Sequence, residues 1–216
     1  MDEKLENALN RLRHILPLKE RQTQCSEEIK RLHQQILRSF VTKGRILTRE
    51  EMAPQVSNLA EAVDVLRRSD MVTFSEAGQP VGAYPFTMEE RVHTIQVNGY
   101  QVHAMCALDA LAISPMFGMG TEINSRCQVT GAPIHIRQSG QSIENMAEAG
   151  GVHFGIAWGA ADGRISCADS LCLEMIFLRD HEIAQAWLAD DPESREVFTL
   201  PESVTFAEQF FVPLLA

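Results

Sequence analysis

Apolar residues in the N-terminal part of the chain recur at helical spacing. Leu5, Leu9, Leu12 and Leu16 form one stripe over residues 2–16, and Pro17 stops it. Ile29, Leu32, Ile36, Leu37 and Phe40 form a second stripe over residues 26–43. Ser26 reads as its N-cap, Glu27 and Glu28 suit its first turn, and Gly44 ends it. Thr48 and Glu51 have the spacing of a capping box for a short helix, and Asn58 caps another predicted over 58–69. Beyond residue 70 the period shortens. MVTF, the turn EAGQP and VGAYPF predict two short strands, and three helices followed by such a wing outline a winged-helix unit.

Residues 91–97 alternate, Asn98-Gly99 is a hairpin turn, and residues 100–103 form the return strand. ALDALAIS predicts a helix beginning near Cys106. Residues 121–129 and IHIRQS flank a turn at 130–133, and 152–158 reads as a further strand. Residues 171–177 are apolar and fit a strand or a helix, while 180–189 and 203–213 predict the last helices. The expected fold class is α+β. An N-terminal helical, winged-helix-like domain spans 1–85, and a mixed α/β domain with a small antiparallel sheet spans 86–216.

Charge narrows the choice of partners. The formal net charge is −10, with 13 Lys and Arg against 14 Asp and Glu in residues 1–90, and 6 against 15 in residues 91–216. So acidic a second half disfavours DNA and anionic membrane. The candidate recognition helix 58–69 offers only Arg67 and Arg68, at its C-terminal end, against Glu61 and Asp64. No nucleic-acid or membrane partner is expected. No leader sequence or membrane span is read from the chain, which places it in the cytoplasm.

Five cysteines, at 25, 106, 127, 167 and 172, are an odd set for a disulfide framework and imply reduced thiols. If Cys106 opens a helix, Cys106 and Asp109 share a face. Helix N-terminal amides favour a thiolate, while a carboxylate beside it in an apolar wall tends to stay protonated. Spacing alone leaves a plain alternative open, a small core cysteine followed by a solvated aspartate. Cys167 and Cys172 are spaced C-x4-C, unlike a typical zinc or thioredoxin-like pair, and the seven histidines are scattered. Phosphate-loop, nucleophile-elbow and dinucleotide fingerprints are absent.

CALDAL at 106–111 and SRCQVTGAP at 125–133, followed by Cys172 in SLCLEMIF and then AQAWLA, resemble the organomercurial lyases (alkylmercury lyases). With the preceding winged-helix-like module, the resemblance spans most of residues 26–190. It implies that Cys106, Asp109 and Cys172 are the catalytic residues and the ligands of substrate or product mercury, and that Cys127 is structural and buried. The chain departs from the family at Met105, where an aromatic is common, and at Leu173, Glu174 and Met175, where Cys or His often follow. Cys167 is extra and could compete with Cys172.

The resemblance implies protonolysis of the carbon–mercury bond to a hydrocarbon and Hg(II), with two thiolates and an Asp proton donor. No cofactor is expected; mercury is substrate and product, and external thiols support turnover. The expected partners are an organomercurial small molecule, cellular thiols and a mercuric reductase. Met105, Leu108, Phe117, Phe154 and Trp158 are the apolar residues expected around the organic group. A soft-metal binding protein or sensor without turnover is the alternative.

Overall fold

The computed structural model describes residues 3–216, so residue 2 of the first predicted helix lies outside the described residues. The chain opens with α1 (Glu3–Ile15), α2 (Leu18–Gln24), α3 (Glu27–Lys43), α4 (Arg49–Met52) and α5 (Leu59–Arg68). Helix starts fall where side-chain oxygens can satisfy the first free amides. Ser26 accepts from the Ile29 N–H, Asn58 accepts from Glu61, and Thr48 and Glu51 close a reciprocal box. α3 ends at Gly44, whose φ is +68°, and a Cβ there would stand 2.7 Å from the Tyr100 ring. Both the backbone and the space therefore call for glycine. The pattern did not predict α2. It buries only Leu18 and Gln22, too little to make an apolar stripe.

The remaining elements are β1 (Thr73–Phe74), β2 (Pro80–Ala83), β3 (Phe86–Thr87), β4 (His93–Val97), β5 (Tyr100–Ala104), α6 (Ala107–Phe117), β6 (Gly120–Arg126), β7 (Pro133–Ser139) and β8 (Ser142–Ile143). They continue as α7 (Met146–Ala149), β9 (His153–Ala157), β10 (Met175–Leu178), α8 (His181–Asp190), β11 (Arg195–Thr199) and α9 (Leu200–Phe211). One eight-stranded antiparallel sheet has the order β1-β2-β3-β5-β4-β6-β7-β8. Alternation is clean in β6 and β7, where every second residue is buried. The hairpin β1–β2 is the edge of this sheet, since β2 pairs with β3 and β3 with β5. The sheet thus runs unbroken across residue 85. Phe40 of α3 stacks on Phe86 of β3 at 4.7 Å, so the N-terminal helices share the same core.

A second sheet, β10-β9-β11, is also antiparallel. Residues 171–177 prove to be both of the forms the pattern allowed, a 3₁₀ turn over Leu171–Glu174 and then β10. Strand β11 was not predicted; REVFT is short and only two of its residues are buried. Between the sheets lies α6, packed against α9, β10 and the strands β4 to β7. Nine of its eleven residues are buried, so it is a core helix without a solvent face. No helix among the described residues is long and apolar enough to cross a membrane.

Candidate active site

Cys106 stands between β5 and α6 and does the work of an N-cap. Its Sγ accepts the Asp109 N–H at 3.4 Å, where a Ser or Asp oxygen would usually stand. Asp109, one turn into a helix with no solvent face, is carried into the core. Cys172 arrives from the 3₁₀ turn before β10. One ligand atom from each of Cys106, Asp109 and Cys172 lies within 4.8 Å of the others, and all three residues are buried. The structure brings the three predicted site residues together. Among the described residues no histidine joins such a group.

Burial sets the protonation of this cluster. It raises the Asp109 carboxyl to about 7, against the pull of hydrogen bonds from Cys106. Asp109 Oδ2 is buried and has no hydrogen-bond partner. The Cys106 thiol is pushed up to about 12, chiefly by burial, although hydrogen bonding from Cys172 lowers it. This reverses the direction expected from the helix N-terminus. The amide contribution is present, but loss of water outweighs it. Cys172 is also raised, first by sharing a proton with Cys106, then with Cys167, then by burial. The resting site therefore holds neutral thiols beside a carboxyl poised near neutrality.

The surroundings are soft and apolar. The Cys106 thiol lies 3.5 Å from Met175 Sδ, and Cys167 Sγ lies 3.8 Å from Cys172 Sγ. A hollow of about 190 Å³ reaches Cys172; Val92, Met105, Leu173, Ile176 and Phe177 form its apolar wall, and His93, Arg91, Arg126 and Gln128 its polar one. Of the apolar residues expected around an organic group, only Met105 lines it. Phe117 packs on Phe86, Phe154 on Phe198 and Phe206, and Trp158 under Arg11, while Leu108 is fully buried. His93 is held by Ser125 at 2.8 Å, and burial lowers it to about 3, so it is neutral.

Two residues of the N-terminal part hold the cysteine loop. The Asp70 carboxylate accepts from the Ser166 hydroxyl at 2.8 Å, the Cys167 N–H at 3.0 Å and the Tyr84 hydroxyl at 3.1 Å. Tyr84 Oη in turn accepts the Ala168 N–H at 2.8 Å. Sequence reading missed Asp70, Tyr84, His93 and Met175. The one signal at Asp70 is its place after α5, where it takes a left-handed φ of 51° that Asp tolerates. Cys127 is buried in the turn between β6 and β7 and does not join the cluster.

Comparison with known proteins identifies the family. The alkylmercury lyase family model matches residues 86–212. An alkylmercury lyase of Pseudomonas putida is 27% identical over 167 residues, covering 77% of this chain and 76% of that protein. One from Bacillus cereus is 29% identical over 167 residues, covering 77% and 74%. The crystal structure of the mercury-bound form of MerB2 shares the fold at a TM-score of 0.74 and 20% identity, over 92% of this chain and 98% of that one. With the family model covering more than half of its length, the chain belongs to the alkylmercury lyase family of enzymes.

Proposed function

We propose that this protein cleaves the carbon–mercury bond of organomercurials by protonolysis, with Cys106 and Cys172 as mercury ligands and Asp109 as proton donor. The observation that carries this reading is the buried meeting of two thiols and one carboxyl within 4.8 Å. Mercury(II) is soft, and thiolate sulfur is the side-chain ligand that matches it. Ligation requires the thiols to lose their protons, and metal binding drives that loss even from thiols whose ordinary titration is pushed far up. The first proton leaves with the original counter-ligand of mercury. The second passes to Asp109, which titrates near neutrality and so can both accept and return it.

Two sulfurs on mercury load electron density onto the metal and make the attached carbon basic. The carbon–mercury electron pair takes the proton held by Asp109. R–Hg–X and two thiols become R–H, H–X and mercury bound to two sulfurs, with no change in oxidation state. Asp109 Oδ2 has no protein partner, so it is free to face that carbon. The organic group lies in the hollow walled by Met105, Leu173, Ile176 and Phe177. Cellular thiols take the product, and a mercuric reductase is the expected consumer of it in the cytoplasm.

The test is release of benzene from phenylmercury acetate by purified protein with excess 2-mercaptoethanol, with Cys106→Ser alongside. Benzene from the parent and none from the variant is expected. Tight mercury binding by the parent without any benzene would replace the lyase with a soft-metal binding protein.

A further inference from the structure

Cys167 is a buried thiol beside the cluster that this reaction leaves unused. It is not an isolated core cysteine. Its Sγ lies 3.8 Å from that of Cys172, so any mercury on Cys172 stands next to a third thiol. The two sulfurs also face different spaces. Cys172 lines the hollow of about 190 Å³, where Arg91, Arg126 and Gln128 join the apolar residues, whereas Cys167 lines a second hollow of about 320 Å³ that shares no residue with the first.

That second hollow is the more polar of the two and gathers more arginines. Arg21, Arg67, Arg68 and Arg164 line it, against Asp70 and Asp162. Arg68 is engaged by Asp64 and Arg164 by Asp162. Arg21 and Arg67 form no ion pair among the described residues: Arg21 donates to the Ser69 carbonyl, and Arg67 lies over the Phe74 ring. Asp70 is spent on the Tyr84 and Ser166 hydroxyls and the Cys167 amide. Guanidinium groups without a carboxylate partner suit a carboxylate-bearing ligand.

We propose that Cys167 is an exit thiol, which takes Hg(II) from the catalytic pair and passes it to a small anionic thiol bound in the arginine-lined hollow. The proposal rests on the lyase reading given above. The transfer is ligand exchange without redox change. Cys167 sulfur bonds to mercury, the Cys106–mercury bond breaks, and the proton lost by Cys167 returns to Cys106. The incoming thiol then bonds to mercury as the Cys172–mercury bond breaks, its proton going to Cys172. A second thiol releases Cys167 in the same way. Hg(S-Cys)₂ and two R′SH give two cysteine thiols and Hg(SR′)₂. Substrate and product would thereby use separate mouths, joined through Cys172.

The test uses full-length protein loaded with one equivalent of HgCl₂ and mixed with glutathione or with uncharged 2-mercaptoethanol, following mercury transfer by stopped flow. Cys167→Ser is expected to slow transfer to glutathione at least tenfold. X-ray absorption is expected to show a sulfur from Cys167 on mercury in the parent, lost in the variant. Equal transfer rates, or mercury that never contacts Cys167, would overturn the relay. The variant Arg67→Gln changes one exposed position outside the cysteine loop, at a guanidinium without a carboxylate partner. It is expected to slow glutathione several-fold more than 2-mercaptoethanol; equal slowing, or none, would overturn the anionic recipient. A parent that releases no benzene from phenylmercury defeats the lyase reading instead, and the HgCl₂ transfer still judges the relay.

Discussion

Cys106 and Cys127 are both buried sulfurs at the end of a strand, yet they are pushed in opposite directions. Burial raises both. At Cys127 it is outweighed by the Thr130 hydroxyl and by the amides of Thr130, Arg179 and Val129, so the thiol is lowered. At Cys106 the protein supplies one backbone amide, from Asp109, while the neighbouring groups are an acid and another thiol, and the thiol rises to about 12. The difference shows that hydrogen-bond supply competes with desolvation, which is less complete at Cys127, in setting the direction of a thiol's shift. A site meant to take a metal cation profits from the second arrangement. In the proposed reaction its sulfurs would stay neutral until mercury displaces their protons, and the displaced proton would then be at hand for carbon.

The comparison can be broken first at its acid. Asp109→Asn keeps the shape and removes the transferable proton, so cleavage of phenylmercury should fall by roughly 10²–10⁴-fold. Isothermal titration with phenylmercury should still show binding. Wild-type cleavage by this variant would exclude Asp109 as donor.

The same substitution sharpens the contrast through stability. Asp109 titrates at 3.8 in an ordinary setting and at about 7 here. The folded state therefore holds more protons than the unfolded state between these values. The stability it contributes is complete below about 4 and is lost as pH rises through about 7. Asp109→Asn should flatten that decline by on the order of a few kcal/mol, seen in urea midpoints at pH 5 and pH 8. A parent whose midpoint does not fall over that range would show that Asp109 is not buried without a charge partner.

Next comes the other cysteine. Cys127→Ala takes the sulfur acceptor from the amides of Thr130, Arg179 and Val129 and should cost about 0.5–1.5 kcal/mol of folding stability. Benzene released per folded molecule should be retained, because Cys127 does not join the cluster. Loss of turnover at full stability would place Cys127 in the chemistry after all. The smallest effect is expected at Met175→Leu. The volume is nearly kept, so stability should change by less than about 1.5 kcal/mol. The sulfur 3.5 Å from Cys106 is lost, which should weaken mercury retention in a competition with dithiothreitol.

Much of this was legible because local chemistry fixed it. Ser26, Asn58 and the Thr48–Glu51 box mark helix starts by their own side chains, and Asn98-Gly99 marks a turn. Cys106 and Asp109 are near neighbours in sequence, so a helix was enough to pair them. What the pattern could not give was long-range. Whether Asp109 is solvated or buried depends on α9, β10 and the sheet closing around α6. The hollow at Cys172 draws on residues from β4 to β10, and the apolar residues nearest in sequence mostly pack elsewhere. The rise of the Cys106 thiol was hidden for the same reason, because the helix amides are local and the desolvation is tertiary.

The hold that Asp70 and Tyr84 keep on the cysteine loop bears on how far the protein can be shortened. A version cut before Phe86 would retain every atom of the cluster and the whole span matched by the family model. It would lose the acceptors that position Ser166, Cys167 and Ala168. It would also strip β2 from β3, leaving a raw strand edge open to self-association. The clustered residues are thus not portable on their own; the N-terminal segment travels with them as scaffolding.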